Sequence, residues 1–94
     1  MTDEELNEIE ARARAATPGP WIYKNKSREV VNDSPGFLVA RVHCPSLKFI
    51  RDGNFIAHVR DDVPALVREV RRLREIIKNE IDDILKEVNE EIEL

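Results

Sequence analysis

The sequence has little cysteine, few aromatic residues and no excess of basic charge. Cys44 is the single cysteine among 94 residues, so neither an internal disulfide framework nor a cysteine-ligated zinc site can form. Aromatic residues make up 5% of the chain and charged residues 36%, a composition that makes a large hydrophobic core difficult to build. The net charge of -4 disfavours a broadly basic nucleic-acid-binding protein, so no DNA partner is expected.

Long apolar segments are also missing. No run approaches the roughly 18 residues that a membrane-spanning helix needs. The acidic first residues, among them Asp3, Glu4 and Glu5, are unlike a secretory signal. With a single cysteine, which suits a reducing compartment, these features predict a cytoplasmic protein without membrane association.

Common enzyme motifs are absent. The chain has no HExxH, GxSxG or CxxC motif and no glycine-rich phosphate-binding loop. His43 and Cys44 are adjacent, but neighbouring residues of a strand point to opposite faces, so they cannot form a nucleophile–base pair. His43 and His58 lack the spacing of a helical metal site. We therefore predict no enzymatic activity, no catalytic residue, no metal and no cofactor.

Local signals predict an α+β fold that begins with a short helix and a small sheet. Thr2 and Glu5 have the spacing of a capping box, and the prolines within residues 17–20 must end the helix that it begins. Runs of β-forming side chains then predict an antiparallel sheet of two or three strands, at residues 21–23, 30–31 and 37–44. In the last run, alternation places one set of side chains on a single face: Leu38, Ala40, Val42 and Cys44.

The second half of the chain is predicted to be helical. Residues 48–50 suit either a further strand or a loop, and Asn54 is expected to cap a short helix at about residues 54–60. Asp61 and Asp62 are then typical of a new helix start. This C-terminal helix would have about 30 residues and a length of about 45 Å.

The long helix carries an apolar stripe. Its residues recur in steps of four and three that make an eleven-residue pattern: Leu66, Val70, Leu73, Ile77, Ile81, Ile84, Val88 and Ile92. Residues 63–77 are expected to pack as ordinary core. Beyond them little of the chain remains to cover the stripe, so a homo-oligomer is expected, and the width of the stripe suits a bundle of several helices better than a simple two-stranded coiled coil. The predicted oligomerisation residues are Leu73, Ile77, Ile81, Ile84, Val88 and Ile92.

Charge along this helix suggests how the chain divides into domains and how a neighbouring helix would be oriented. We predict one small α+β domain at residues 1–77 and a projecting acidic helix end at residues 78–94. Arginines at 68–74 precede the acidic run, so an antiparallel neighbour would place basic beside acidic residues, whereas a parallel one would stack like charges. The alternative is that the acidic end is simply a solvated face.

A set of cationic and polar side chains is the best candidate for a binding site. An anionic ligand with a base needs guanidinium groups for its charge, an aromatic ring for stacking and amide donors for the base edges. The alternative is that Trp21 anchors the core while the cations keep the sheet soluble. The candidate ligand-binding residues are Trp21, Arg41, His43, Asn54, His58, Arg60, Arg68 and Arg71.

Two motifs of the sequence, the second made of two stretches, resemble a known family. Residues 15–21 read AATPGPW, residues 53–67 read GNFIAHVRDDVPALV, and residues 69–74 read EVRRLR. This pair of motifs resembles the Ead-like small accessory proteins of bacteriophages and prophages. The combination of small sheet, short helix and long oligomerising helix also resembles a type of Thoeris anti-defence sponge protein. The first resemblance does not cover the strand region or residues 75–94, and the second rests on overall shape and on an NxFIA-type phrase.

These resemblances imply a function. They suggest a non-enzymatic phage protein in the host cytoplasm that sequesters a cyclic nucleotide-type immune signal, of the cyclic ADP-ribose type or a cyclic oligonucleotide, in pockets between subunits. Two alternatives stay open. The chain could be a protein-interaction module that inhibits a host protein, or a purely structural oligomer.

Overall fold

The protein is an α+β chain built from two helices and one small sheet. The computed structural model describes residues 1–43 and 47–93, without the side chain of Glu93. Helix α1 (Asp3–Ala15) is followed by strands β1 (Trp21–Lys24), β2 (Glu29–Asn32) and β3 (Leu38–Arg41), and then by helix α2 (Phe49–Glu93). The predicted fold class is therefore confirmed.

The start and end of α1 follow from its sequence. The Glu5 backbone N–H donates to Thr2 Oγ1 at 3.1 Å, and the Thr2 N–H donates to the Glu5 carboxylate at 3.2 Å, which confirms the capping box. After Ala15 the backbone becomes extended at Ala16, just before the two prolines. Leu6 is the residue of α1 that is fully buried.

The three strands form an antiparallel sheet in the order β1-β2-β3. Asn32 fixes the turn between β2 and β3, because its buried side chain accepts from the Gly36 N–H at 3.0 Å and donates to the Ser34 carbonyl at 3.1 Å. Gly36 has a φ of 97°, which favours glycine.

The predicted third strand needs two corrections. It runs only from Leu38 to Arg41, and its strict alternation of faces is wrong. The register shifts between Val30 and Val31 of the neighbouring strand, so Val39 and Ala40 both pack against the core while half of Leu38 stays exposed. Cys44, predicted on the same face, lies outside the described residues.

Helix α2 corrects the predicted second half. The short helix near residues 54–60 and the long helix are one continuous helix of 45 residues that begins at Phe49. Asn54, Asp61 and Asp62 therefore lie inside it and cap nothing. Pro64 lies inside the helix as well, where it removes one N–H donor but does not end the helix.

The core lies between the sheet and the first turns of α2. Val30, Val42 and Ala57 are buried there, and half-buried aromatic and aliphatic side chains surround them: Trp21, Tyr23, Val39, Ala40, Phe49 and Ile56. In the turn between β1 and β2, the Arg28 guanidinium lies 4.0 Å from the centre of the Phe49 ring.

The expectation that residues 63–77 are ordinary core is only partly correct. Val67 is buried against α1, and Val63 and Val70 are half-buried. Leu66 is 62% exposed because α1 covers only one flank of α2, and Ile77 is 58% exposed because it lies beyond Arg74, which pairs with the first residue of α1. From residue 75 to residue 92 every residue is exposed, and the molecule measures 72 × 28 × 18 Å. In the described ranges, neither helix offers an apolar stretch sufficient to traverse a bilayer.

Candidate functional site

Polar contacts hold α1 against the middle of α2. Arg74 ion-pairs with Asp3 at 2.8 Å near the start of α1. Arg71 ion-pairs with Glu10 and donates to Asn7 Oδ1 at 2.7 Å. Exposed ion pairs each contribute little to stability, so these contacts mainly fix the position of α1 over the apolar contact beneath it.

One backbone carbonyl joins both helices to the sheet. The Thr17 carbonyl, which follows α1, accepts a hydrogen bond from Trp21 Nε1 at 2.9 Å and another from Arg60 Nε at 3.0 Å. Because the start of α1 contacts Arg74 and the residue after its end contacts Arg60, α1 runs antiparallel to α2. Trp21 and Arg60, both predicted as ligand-binding residues, are thus brought together.

Half of the residues that line a groove beside these contacts are arginines, and we call it the arginine groove. It has a volume of about 330 Å³ and opens toward a wider hollow bordered by Gly19, Pro20 and Asp61. Gly19 permits this arrangement, since a Cβ at that position would lie 2.9 Å from Arg60 Cγ. The lining residues of the groove are Glu10, Ala13, Arg14, Arg60, Pro64 and Arg68.

The arginine groove is positively charged although the chain as a whole is negative. Its one carboxylate, Glu10, is already shared by Arg14 at 2.8 Å and by Arg71. Within residues 1–43 and 47–93, the guanidinium groups of Arg60 and Arg68 have no carboxylate partner. Two guanidinium groups without a carboxylate partner on one side of a groove are suited to an anionic ligand.

A smaller apolar hollow adjoins the groove and shares Arg60 with it. Its volume is about 220 Å³, and Trp21 forms part of its wall. The side chains around it are mostly apolar: Ile9, Ala13, Ala16, Trp21, Val59 and Val63, with Arg12 and Arg60 at the edges. Arg60 therefore lies between a surface suited to a flat ring and a surface suited to negative charge.

The remaining predicted ligand-binding residues lie elsewhere. Arg41, at the end of β3, is 3.5 Å from the Glu29 carboxylate, and His43 is exposed beyond that strand. Asn54 and His58 are exposed on α2, where His58 Nδ1 lies 2.7 Å from the Asn54 carbonyl oxygen. None of these four lines the arginine groove, and Arg71 is engaged with α1.

The predicted oligomerisation residues form an uncovered surface. All six are exposed, from 44% at Val88 to 76% at Ile92: Leu73, Ile77, Ile81, Ile84, Val88 and Ile92. Every residue from 75 to 92 is exposed in the described structure. A continuous exposed apolar surface of this length is unusual for a monomeric protein.

Sequence reasoning missed two parts of this site. Arg14 was not among the candidates, although its spacing from Glu10 is that of a helical ion pair. The Thr17 carbonyl could not be found from residue types, because a backbone acceptor has no sequence signature.

The comparisons with known proteins add no relative. No family model matches the chain, and no curated protein and no solved structure is significantly similar to it. The resemblance to Ead-like proteins accordingly stays a prediction. Among the described residues, no three histidine, cysteine, aspartate or glutamate side chains form a group that could hold a metal ion.

Proposed function

We propose that this protein is a non-enzymatic, self-associating accessory protein that sequesters an anionic nucleotide-type ligand. The observation that carries the proposal is the pair Arg60 and Arg68, which flank Pro64 in the arginine groove and have no carboxylate partner in the described chain. The resemblance to phage proteins adds the setting, a host bacterial cytoplasm, and the ligand class, a cyclic ADP-ribose-type or cyclic oligonucleotide immune signal.

The geometry of the two arginines suits a ligand with more than one phosphate. Arg60 and Arg68 are eight residues apart on one helix, so their Cα atoms are about 12 Å apart along its axis. The Thr17 carbonyl holds Arg60 Nε, which orients the guanidinium and leaves its terminal N–H groups free to bind. Pro64 lies between the two arginines and offers an apolar ring surface rather than a competing charge.

A base or a second ring has a place next to the phosphates. The hollow beside Trp21 shares Arg60 with the groove, so a ligand that bridges the two would stack its flat part and pair its charged part. Each such charge-assisted pair contributes about 1.5–3 kcal/mol. The site is formed by one copy of the chain, whereas the resemblance implies pockets between subunits.

Calorimetry tests the proposal directly. The protein is titrated with cyclic ADP-ribose isomers and with cyclic di- and trinucleotides, and at least one ligand should give saturable heat. Arg60→Gln and Arg68→Gln should each weaken binding about 10- to 100-fold, since each removes one charge-assisted pair. The absence of heat with every ligand would refute the proposal.

Arg72→Gln is the matched control for these variants. Arg72 lies on the same helix and carries the same charge, but it is paired with Glu69 at 2.6 Å and lies outside the groove. Its substitution should leave the affinity unchanged. An equal loss in all three variants would indicate a general effect of net charge rather than a site.

A protein-interaction module remains the second candidate, and one observation favours it. β3 is an edge strand; its first residue, Leu38, is 50% exposed, and the preceding Phe37 is 64% exposed. An open edge next to apolar side chains can accept a strand from another protein. Stoichiometric recovery of one host protein in a pull-down, lost in a Leu38→Lys variant, would favour this function.

A further inference from the structure

We infer that a second copy of this chain docks antiparallel along α2, so that residues 88–92 of each copy occupy an apolar cleft of the other. The inference deepens the proposed self-association and rests on it. It adds the orientation, the register and the place where each helix end binds. Three independent features of the described residues support it.

The first feature is an apolar cleft between α1 and α2, which we call the α1–α2 cleft. Its volume is about 220 Å³, and almost all of its accessible wall is apolar. It lies on the side of α1 away from the arginine groove, at the N-terminal end of the apolar stripe, and is lined by Met1, Leu6, Ile9, Val63, Leu66, Val67 and Val70. Leu66, at its edge, is 62% exposed and belongs to the stripe itself.

The second feature is the spacing of the apolar residues on α2. Four stripe residues before Asn79 each have an apolar residue at the same distance after it, with Leu85 rather than Ile84 as the match of Leu73. In an antiparallel pair centred on Asn79, these eight residues therefore meet apolar residues of the second copy, while Ile84 falls level with Arg74. The matched positions are Leu66 with Ile92, Val70 with Val88, Leu73 with Leu85, and Ile77 with Ile81.

This register places the helix end on the cleft. Ile92, the most exposed residue of the stripe, falls level with Leu66, and Val88 falls level with Val70. In a parallel pair in register, residues 88–92 would instead lie beside each other, far from either cleft. Both α1–α2 clefts would then stay empty.

The third feature is charge. Residues 68–74 hold four arginines and one glutamate, and residues 80–92 hold six acidic residues and one lysine. Three of the arginines already have partners in their own copy, namely Asp3, Glu10 and Glu69, and the fourth, Arg68, lines the arginine groove, so the attraction between copies rests on the net charge of the two segments. The antiparallel arrangement places the basic segment of each copy beside the acidic segment of the other, and the two helix dipoles then point in opposite directions, which is favourable. A parallel pair would instead bring the two acidic ends together.

Cysteine pairing tests the orientation. Leu66→Cys and Ile92→Cys are made separately in a Cys44→Ser chain, mixed in equal amounts, and oxidised or treated with a short thiol cross-linker. We expect a mixed dimer that joins position 66 to position 92, and little linkage in either variant alone. Linkage of each variant to itself would overturn the orientation, and no linkage in a dimeric mixture would overturn the register.

Sedimentation velocity separates this inference from the proposed function. Ile81→Asp should weaken the association at least about thirtyfold, while Asn79→Asp, with the same charge change on the opposite face of α2, should have little effect. Because Ile81 is exposed in a single copy, its substitution should leave the circular dichroism spectrum unchanged. A wild-type monomer at micromolar concentration would overturn both this inference and the self-association, whereas a dimer with parallel linkage would overturn only the inference.

Discussion

Gly53 offers a sharp test of how the sheet is seated on α2. The Tyr23 ring of β1 lies directly against the helix backbone at this position. A Cβ at residue 53 would lie 2.2 Å from Tyr23 Cδ1 and 2.3 Å from Cε1, well inside contact distance. Gly53→Ala therefore forces the ring, the strand or the helix to move.

Two opposing effects decide the size of the change. Alanine is better than glycine inside a helix by about 1 kcal/mol. Displacing the Tyr23 ring, which packs against the core of Val30, Val42 and Ala57, costs about 3 kcal/mol through lost burial and strain. In the described part of the chain the buried Tyr23 hydroxyl has no hydrogen-bond partner, so packing alone holds the ring.

We therefore expect Gly53→Ala to lower the free energy of unfolding by about 2 kcal/mol, a large fraction of the stability of a domain of this size. Urea unfolding followed by circular dichroism measures the change. In a Tyr23→Val background the clash is absent, so the same substitution should become stabilising by up to about 1 kcal/mol. A stabilising effect of Gly53→Ala in the wild-type chain would refute the close packing of β1 on α2.

Two further predictions concern α1 and the binding site. The Thr2 backbone and side chain hydrogen-bond to Glu5 and hold the pKa of Glu5 below its ordinary 4.5. The stabilisation of the folded state by the Glu5 carboxylate is therefore present above about pH 4.5 and is lost as the pH falls through the lowered pKa. Urea unfolding at pH 7 and pH 3 should show a smaller acid loss for Glu5→Gln than for the wild type, and an equal loss would contradict the role of the capping box. For ligand binding, calorimetry on Ile81→Asp should give the wild-type affinity, because the arginine groove is formed by one copy, whereas loss of binding would place the ligand between subunits.

Local signals predicted the first half of the fold well because there the structure is determined locally. The capping box at Thr2 and Glu5, the prolines after α1 and the turn at Asn32 each act within a few residues. The length of the third strand was not predictable in the same way. It depends on a register shift between Val30 and Val31, which arises from pairing with a different strand.

The continuity of α2 shows where local rules fail. Gly53, Asp61, Asp62 and Pro64 each favour a helix boundary when read alone. In the structure, Gly53 is required for contact with the sheet, and the buried residues Ala57 and Val67 lie on either side of the proline. Burial on both sides compensates for the lost hydrogen bond at Pro64, and no local signal contains that information.

The candidate site was partly predictable for a related reason. Arg60 and Arg68 were candidates as members of a cationic and polar set suited to an anionic ligand, and the structure leaves both without a carboxylate partner in the described chain. Arg71 has the same residue type and a similar position, yet it binds Asn7 and Glu10. The difference lies in which side of α2 is covered by α1, and this follows from the packing of two helices distant in sequence.

Helix α1 separates the two proposed surfaces. Its polar side, with Glu10 and Arg14, borders the arginine groove, and its apolar side, with Leu6 and Ile9, borders the α1–α2 cleft. A ligand in the groove and a second copy in the cleft therefore occupy opposite sides of the same short helix and do not compete for space. Coupling between them would have to pass through the position of α1, which the ion pairs of Arg71 and Arg74 fix.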